Sequence, residues 1–307
     1  MTLEPVSPAA RPGGRNPIRQ ALVGLAFWMA AQLVAMIALA PLMLPRAGLD
    51  AEAVMALLTT DPLVAGGYFL IYAALALVAF RWLLRRFAPD AYRATFRRRG
   101  VAKEIAWGAL IGAGLIALGV AVLAAAGVYR GTAFGFSPQI IAGLAMSVGA
   151  ACGEETLFRG VFLRLLDARF GSAVALTAIS VVFGLIHLGN GGVGWWGAVA
   201  IAVAAGPLLG GAYLLTGRIW LPVGIHFAWN AAQSAVFGVT VSGTESGRGL
   251  WRGSLTGPDW LSGGSTGLEG SVPLVLIAAL AGACLVVLCV RRGRWRGFRE
   301  ARAPLRP

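Results

Sequence analysis

Charge is scarce in this sequence, and lysine is nearly missing. Only 13% of the 307 residues are charged, and Lys103 is the single lysine among 26 basic residues. That excludes the charged coat of a soluble domain of this size. With 58% hydrophobic residues and a mean hydropathy of +0.75, the chain has more apolar surface than a soluble core of its length can bury, so the solvent for most of it is lipid. Cysteine is also thin. Cys152, Cys284 and Cys289 fall in apolar segments without CxxC spacing, which argues against a zinc knuckle and against a disulfide framework. Histidine occurs only as His187 and His226, and no HExxH run is present. Acidic residues number 13, leaving a net charge of +13. Such a surplus suits either nucleic acid or the anionic face of a membrane. The hydropathy selects membrane lipid as the partner, and no nucleic acid is expected. Abundant Ala, Gly and Arg point to a GC-rich bacterial genome, and hence to a bacterial cell (inner) membrane.

What is present in quantity is apolar run. A transmembrane helix needs about 20 mainly apolar residues. The stretches that qualify are Ala21 to Leu44, Leu63 to Leu84, Ile105 to Val128, a fourth that follows Phe134-Gly135-Phe136-Ser137-Pro138 and continues as a more polar helix to Arg169, then Ser172 to Leu188, Trp195 to Thr216, Ile219 to Val239 and Ser271 to Val290. The first is too long for the apolar region of a signal peptide and reads as a retained span. The fold expected is all-α, a polytopic transmembrane helix bundle of about eight spans. Threading it with the N-terminus inside puts 22 of the 26 basic residues on one side, which places both termini in the cytoplasm. Residues 1–20 read as a disordered cytoplasmic tail, 21–290 as one transmembrane domain with a catalytic core at 137–238, and 291–307 as a basic cytoplasmic tail. The Gly, Ser and Thr-rich stretch 240–270 reads as a flexible or partly re-entrant outer loop without a catalytic role. Gly108-xxx-Gly112 and Gly206-xxx-Gly210 suit close helix contacts.

Ionisable groups within spans are costly, so each is a functional hypothesis. Here they cluster: Glu154, Glu155 and Arg159 on the fourth span, His187 at the end of the fifth, His226 with Asn230 on the seventh. Residues four apart share a helix face, which pairs Glu155 with Arg159, Phe183 with His187, and His226 with Asn230. Glu154 is turned about 100° from Glu155, which frees the two carboxylates for different roles. A structural ion pair and two helix-bridging histidines would account for any one of these residues, but not easily for the whole set. At about 1.5 Å per residue, Glu154 is expected near the inner surface, and His187 about 22 Å along its span, too far out to meet it without tilt or thinning of the bilayer.

Glu154-Glu155-Thr156-Leu157-Phe158-Arg159 resembles the EExxxR motif of the CPBP family, the CaaX proteases and bacteriocin-processing enzymes also called Abi. Phe183-Gly184-Leu185-Ile186-His187 resembles its FxxxH, and His226-Phe227-Ala228-Trp229-Asn230 its HxxxN. The three occur in the family's order on separate spans. The resemblance implies an intramembrane endopeptidase, named a metalloendopeptidase by family usage, acting on a membrane-associated or lipidated protein or peptide. By matching position, Glu154 would be the base that activates water with help from His187, His226 and Asn230 would steady the oxyanion, and Glu155 with Arg159 would shape the site. A donor at the developing oxyanion is what amide hydrolysis requires. Two routes stay open on the cofactor: a Zn2+ ion held by Glu154, His187 and His226, or a metal-free glutamate mechanism. A bacteriocin-immunity or scaffold protein that binds without turnover is the alternative within the family. A proton-coupled transporter is the alternative outside it, although neither inverted repeats nor broken spans are evident.

Overall fold

The computed structural model describes residues 14–245 and 249–302. Most of the predicted N-terminal tail and the end of the C-terminal one lie outside them. Helix α1 (Pro17–Ala47) begins inside that predicted tail, with proline in its first turn, where the absent N–H costs nothing. A short apolar helix α2 (Ala51–Thr60) and then α3 (Pro62–Phe87) follow. Asp61 caps α3 by accepting from the Leu63 and Val64 amides, and it pairs with Arg46 at 2.8 Å to close the α1 to α3 connection. Next come α4 (Pro89–Phe96), α5 (Val101–Ala125) and the strand β1 (Tyr129–Phe134).

Helix α6 (Gln139–Glu154) passes without a break through a π-helical stretch, Glu155–Leu163, into α7 (Arg164–Phe170). Then α8 (Ser172–Ile186) ends in a 3-10 turn, His187–Gly189, and α9 (Trp195–Thr216) returns. Helix α10 (Trp220–Ala231) runs into a second π-helical turn, Ala232–Val236. Strand β2 (Trp251–Leu255), α11 (Asp259–Ser262), α12 (Val272–Arg291) and α13 (Phe298–Arg302) complete the chain.

Among the described residues, seven helices are long and apolar enough to cross a membrane, and the chain is a polytopic helical membrane bundle. Of the eight stretches expected, Ile219 to Val239 is the one without a helix of that length. Its helix, continued through the π turn, covers only Trp220 to Val236 and is buried almost throughout. Protein rather than lipid surrounds it, so bilayer thickness does not set its length. The two glycine pairs explain how neighbours come so close. A Cβ at Gly108 would run into Leu221 O, one at Gly112 into Ile225 O, and one at Gly224 into Ile105 O, so α5 and α10 touch backbone to backbone. Gly206 and Gly210 likewise receive Ser180 and Leu176 of α8.

Stretch 240–270 is not the free loop expected. Its β2 pairs antiparallel with β1, with Tyr129 opposite Leu255 and Gly131 opposite Gly253. Glu269, Leu268 and Thr266 are buried. Pairing across more than 120 residues leaves no local signature, which is why composition alone suggested a loop.

Candidate active site

The fourth and fifth predicted spans form a hairpin about Gly171, whose φ of +83° suits a residue without a side chain. Glu155 lies 16 residues before Gly171 and His187 lies 16 after it. Antiparallel helices rise equally on both sides of their turn, so the two residues sit at the same level, about 24 Å from it. This corrects the expected depths. Glu154 is the sixteenth residue of a 32-residue helical run, Gln139–Phe170, and is therefore midway along it.

Glu155 and Arg159 are both wholly buried, and Arg159 Nη1 donates to Glu155 Oε1 at 2.9 Å. The π-helical winding that begins at Glu155 is a rare form that often marks functional sites. The same Oε1 receives the Nδ1 of His226 at 2.9 Å. A carboxylate oxygen accepts from a ring N–H, so this contact assigns a proton to Nδ1 and turns Nε2 the other way. His226 Nε2 in turn faces Glu154 Oε2 across 4.0 Å. That oxygen is buried and has no hydrogen-bond partner in the protein. The gap is too long for a direct bond and suits one bridging oxygen.

Phe183 is the hub on which the three motifs meet. The Arg159 guanidinium stacks 4.3 Å from its ring centroid, the His187 ring stands edge-on at 4.8 Å, and the His226 ring at 6.2 Å. The Phe183 carbonyl accepts from His187 Nδ1 at 2.6 Å, which orients that imidazole as well. His187, His226 and Asn230 line one cavity, together with Trp229, Ser242 and Glu269. Among the described residues no group of three or more His, Cys, Asp or Glu side chains is placed to hold a metal ion.

Four contributors were not anticipated. Tyr72 of α3 presses its ring against Gly153, in the space a side chain would fill, and its hydroxyl neighbours Glu154. Trp229, Ser242 and Glu269 form the far wall of the cavity. Trp229 stands within HxxxN, and Glu269 is an acidic residue directly before an apolar span; these were the available signals. Ser242 had none.

Neither curated proteins nor solved structures returned a match to this chain. A family model does match, over residues 136–232, and this segment contains Glu154, Glu155, Arg159, His187, His226 and Asn230. It reaches from just before α6 to the first residue of the second π turn. That segment is similar to the type II CAAX prenyl endopeptidase Rce1-like family, in keeping with the family that the three motifs resemble.

Proposed function

We propose that this chain is an intramembrane endopeptidase that hydrolyses a peptide bond with a water molecule activated by Glu154. The observation that carries the reading is the unpartnered, buried Glu154 Oε2 facing His226 Nε2 at 4.0 Å, while the adjacent Glu155, whose Oε2 is also without a partner, is tied at Oε1 to both Arg159 and His226. A water in that gap donates one hydrogen to each acceptor and turns a lone pair toward the substrate carbonyl. Its oxygen bonds to the carbonyl carbon, and its proton passes to Glu154. The oxyanion forms in the cavity lined by His187 and Asn230, where the Asn230 amide supplies a donor. Collapse breaks the C–N bond, and Glu154 returns the proton to the departing amine. His226 thus takes the assisting part that the motif resemblance had given to His187, because its nitrogen is the one near Glu154. No step is routed through a metal.

The substrate is a membrane-associated or lipidated peptide reaching the site in the cell membrane. The name of the matching family and the seat of the site among apolar helices support that class. The test compares peptide ends by mass spectrometry in membranes of cells making the wild-type chain or Glu154→Ala at matched levels. Particular ends that vanish with the variant support the reading, and the sequences around them name the substrate. Indistinguishable profiles sink it and favour a binding protein without turnover.

A further inference from the structure

Glu269 has no part in the chemistry above, yet it lies in the cavity wall. It sits in the turn Leu268–Gly270 just before α12 and is 5% exposed. A buried carboxylate is tolerated when donors replace the water it has lost. Glu269 has three. Its Oε1 accepts the Trp229 indole N–H at 2.7 Å, and its Oε2 accepts both the Ser242 amide and the Ser242 hydroxyl, each at 2.6 Å.

Each donor leads to a different part of the site. Ser242 is held at φ +46°, a left-handed conformation uncommon for a residue with a side chain, and its carbonyl accepts from Asn190 Nδ2 at 2.8 Å. Asn190 directly follows the turn that carries His187. Trp229 precedes Asn230 and lies three residues, nearly one turn, beyond His226 on α10. A staple for the outer segment alone would need only the Ser242 bonds. The bond to Trp229 reaches instead into the helical turn that presents both HxxxN side chains, and the indole cannot swing without breaking it.

We propose that Glu269 is a positioning residue of the catalytic cavity: through Trp229 it fixes the turn of α10 that carries His226 and Asn230, and through Ser242 it fixes the facing wall beside His187. The assignment rests on the proteolytic reading of this same site.

With only two histidines in the chain, the 15N-histidine NMR spectrum of the full chain in lipid nanodiscs contains two imidazoles, assigned by a His187→Gln variant. Glu269→Gln turns one acceptor into a donor facing donors. Trp229→Phe removes the indole N–H and keeps an aromatic ring, so it probes the same bond from the other side. Both variants are expected to shift the His226 signals and to slow formation of the Glu154-dependent peptide ends by roughly 10- to 100-fold. The double variant should be no slower than the worse single one, because both changes break one bond. Arg46→Ala, which removes the remote pair with Asp61, should shift neither histidine. Unmoved His226 signals in both single variants overturn the positioning role whatever the cleavage rate, and so does wild-type cleavage in both. If the peptide ends persist in Glu154→Ala, the proteolytic reading fails instead, and the positioning role in catalysis falls with it. The histidine spectrum tells these two failures apart.

Discussion

His226 Nδ1 and Glu155 Oε1 stand 2.9 Å apart, and Arg159 Nη1 reaches the same oxygen at 2.9 Å. One buried oxygen therefore holds the imidazole of α10 and the guanidinium one turn along its own helix. The neighbouring Glu154, turned away by the helical step, has no such engagement. Two consecutive carboxylates are thus divided into one that builds the site and one that is free to react.

That division predicts opposite phenotypes for two adjacent substitutions. Glu155→Ala leaves Arg159 buried without its counter-charge and His226 without its acceptor, and should cost about 3–5 kcal/mol of stability. Glu154→Gln removes an oxygen that the fold does not use. Its stability should stay within about 1 kcal/mol of wild type, while proteolysis is lost. Denaturant titration in detergent, run beside the peptide-end profile, checks both.

The α5 to α10 contact predicts a second contrast, between glycines two residues apart. A Cβ at Gly112 collides with Ile225 O and lies against the Trp229 amide, whereas one at Gly114 meets nothing within 4 Å. Gly112→Ala should push α10 away, costing about 1–3 kcal/mol and lowering turnover. Gly114→Ala should be neutral or slightly stabilising. Thermal unfolding and turnover of the two variants decide the matter.

Much of this arrangement was legible in the sequence, and the limits of that legibility are physical. Long apolar runs located the helices because lipid demands length and hydropathy of each span separately. Helix α10 escaped that rule since protein surrounds it. Glu154, His187 and His226 were recognisable as chemistry because ionisable groups are so costly in spans. Their meeting was misjudged when each was placed by its distance from a membrane surface. Counting 16 residues to either side of Gly171 would have put Glu155 and His187 level. The contacts of Glu269 and Ser242 were hidden for another reason: their partners Trp229 and Asn190 lie 40 and 52 residues away, and nothing in local composition encodes such contacts.

The placement of donors also carries a prediction about metal. The Nδ1 contacts of His226 with Glu155 and of His187 with the Phe183 carbonyl leave each Nε2 open to a ligand, but no three His, Cys, Asp or Glu side chains converge among the described residues. Catalytic zinc needs three protein ligands. Purified chain should therefore contain well under one equivalent of zinc by elemental analysis, and peptide cleavage should survive prolonged exposure to 1,10-phenanthroline. Stoichiometric zinc whose removal stops turnover would require His187 and Glu154 to move together.

The short α10 makes topology a sharp test of the whole bundle. If it crosses the hydrophobic layer as the long helices do, Arg97 and Arg299 face one side and Asp259 the other. If α10 fails to cross, Arg299 changes sides relative to Arg97. Single cysteines at these three positions, in a background with Cys152, Cys284 and Cys289 replaced by alanine, can be probed in intact cells with a membrane-impermeant maleimide. The expected result is that Asp259→Cys labels in intact cells, while Arg97→Cys and Arg299→Cys label only after the membrane is opened. The excess of arginine on the segments that include Arg97 and Arg299 favours this outcome, since such residues are retained in the cytoplasm. Labelling of Arg299→Cys from outside would mean that α10 re-enters rather than crosses, and that His226 reaches Glu155 from a helix that turns back within the membrane.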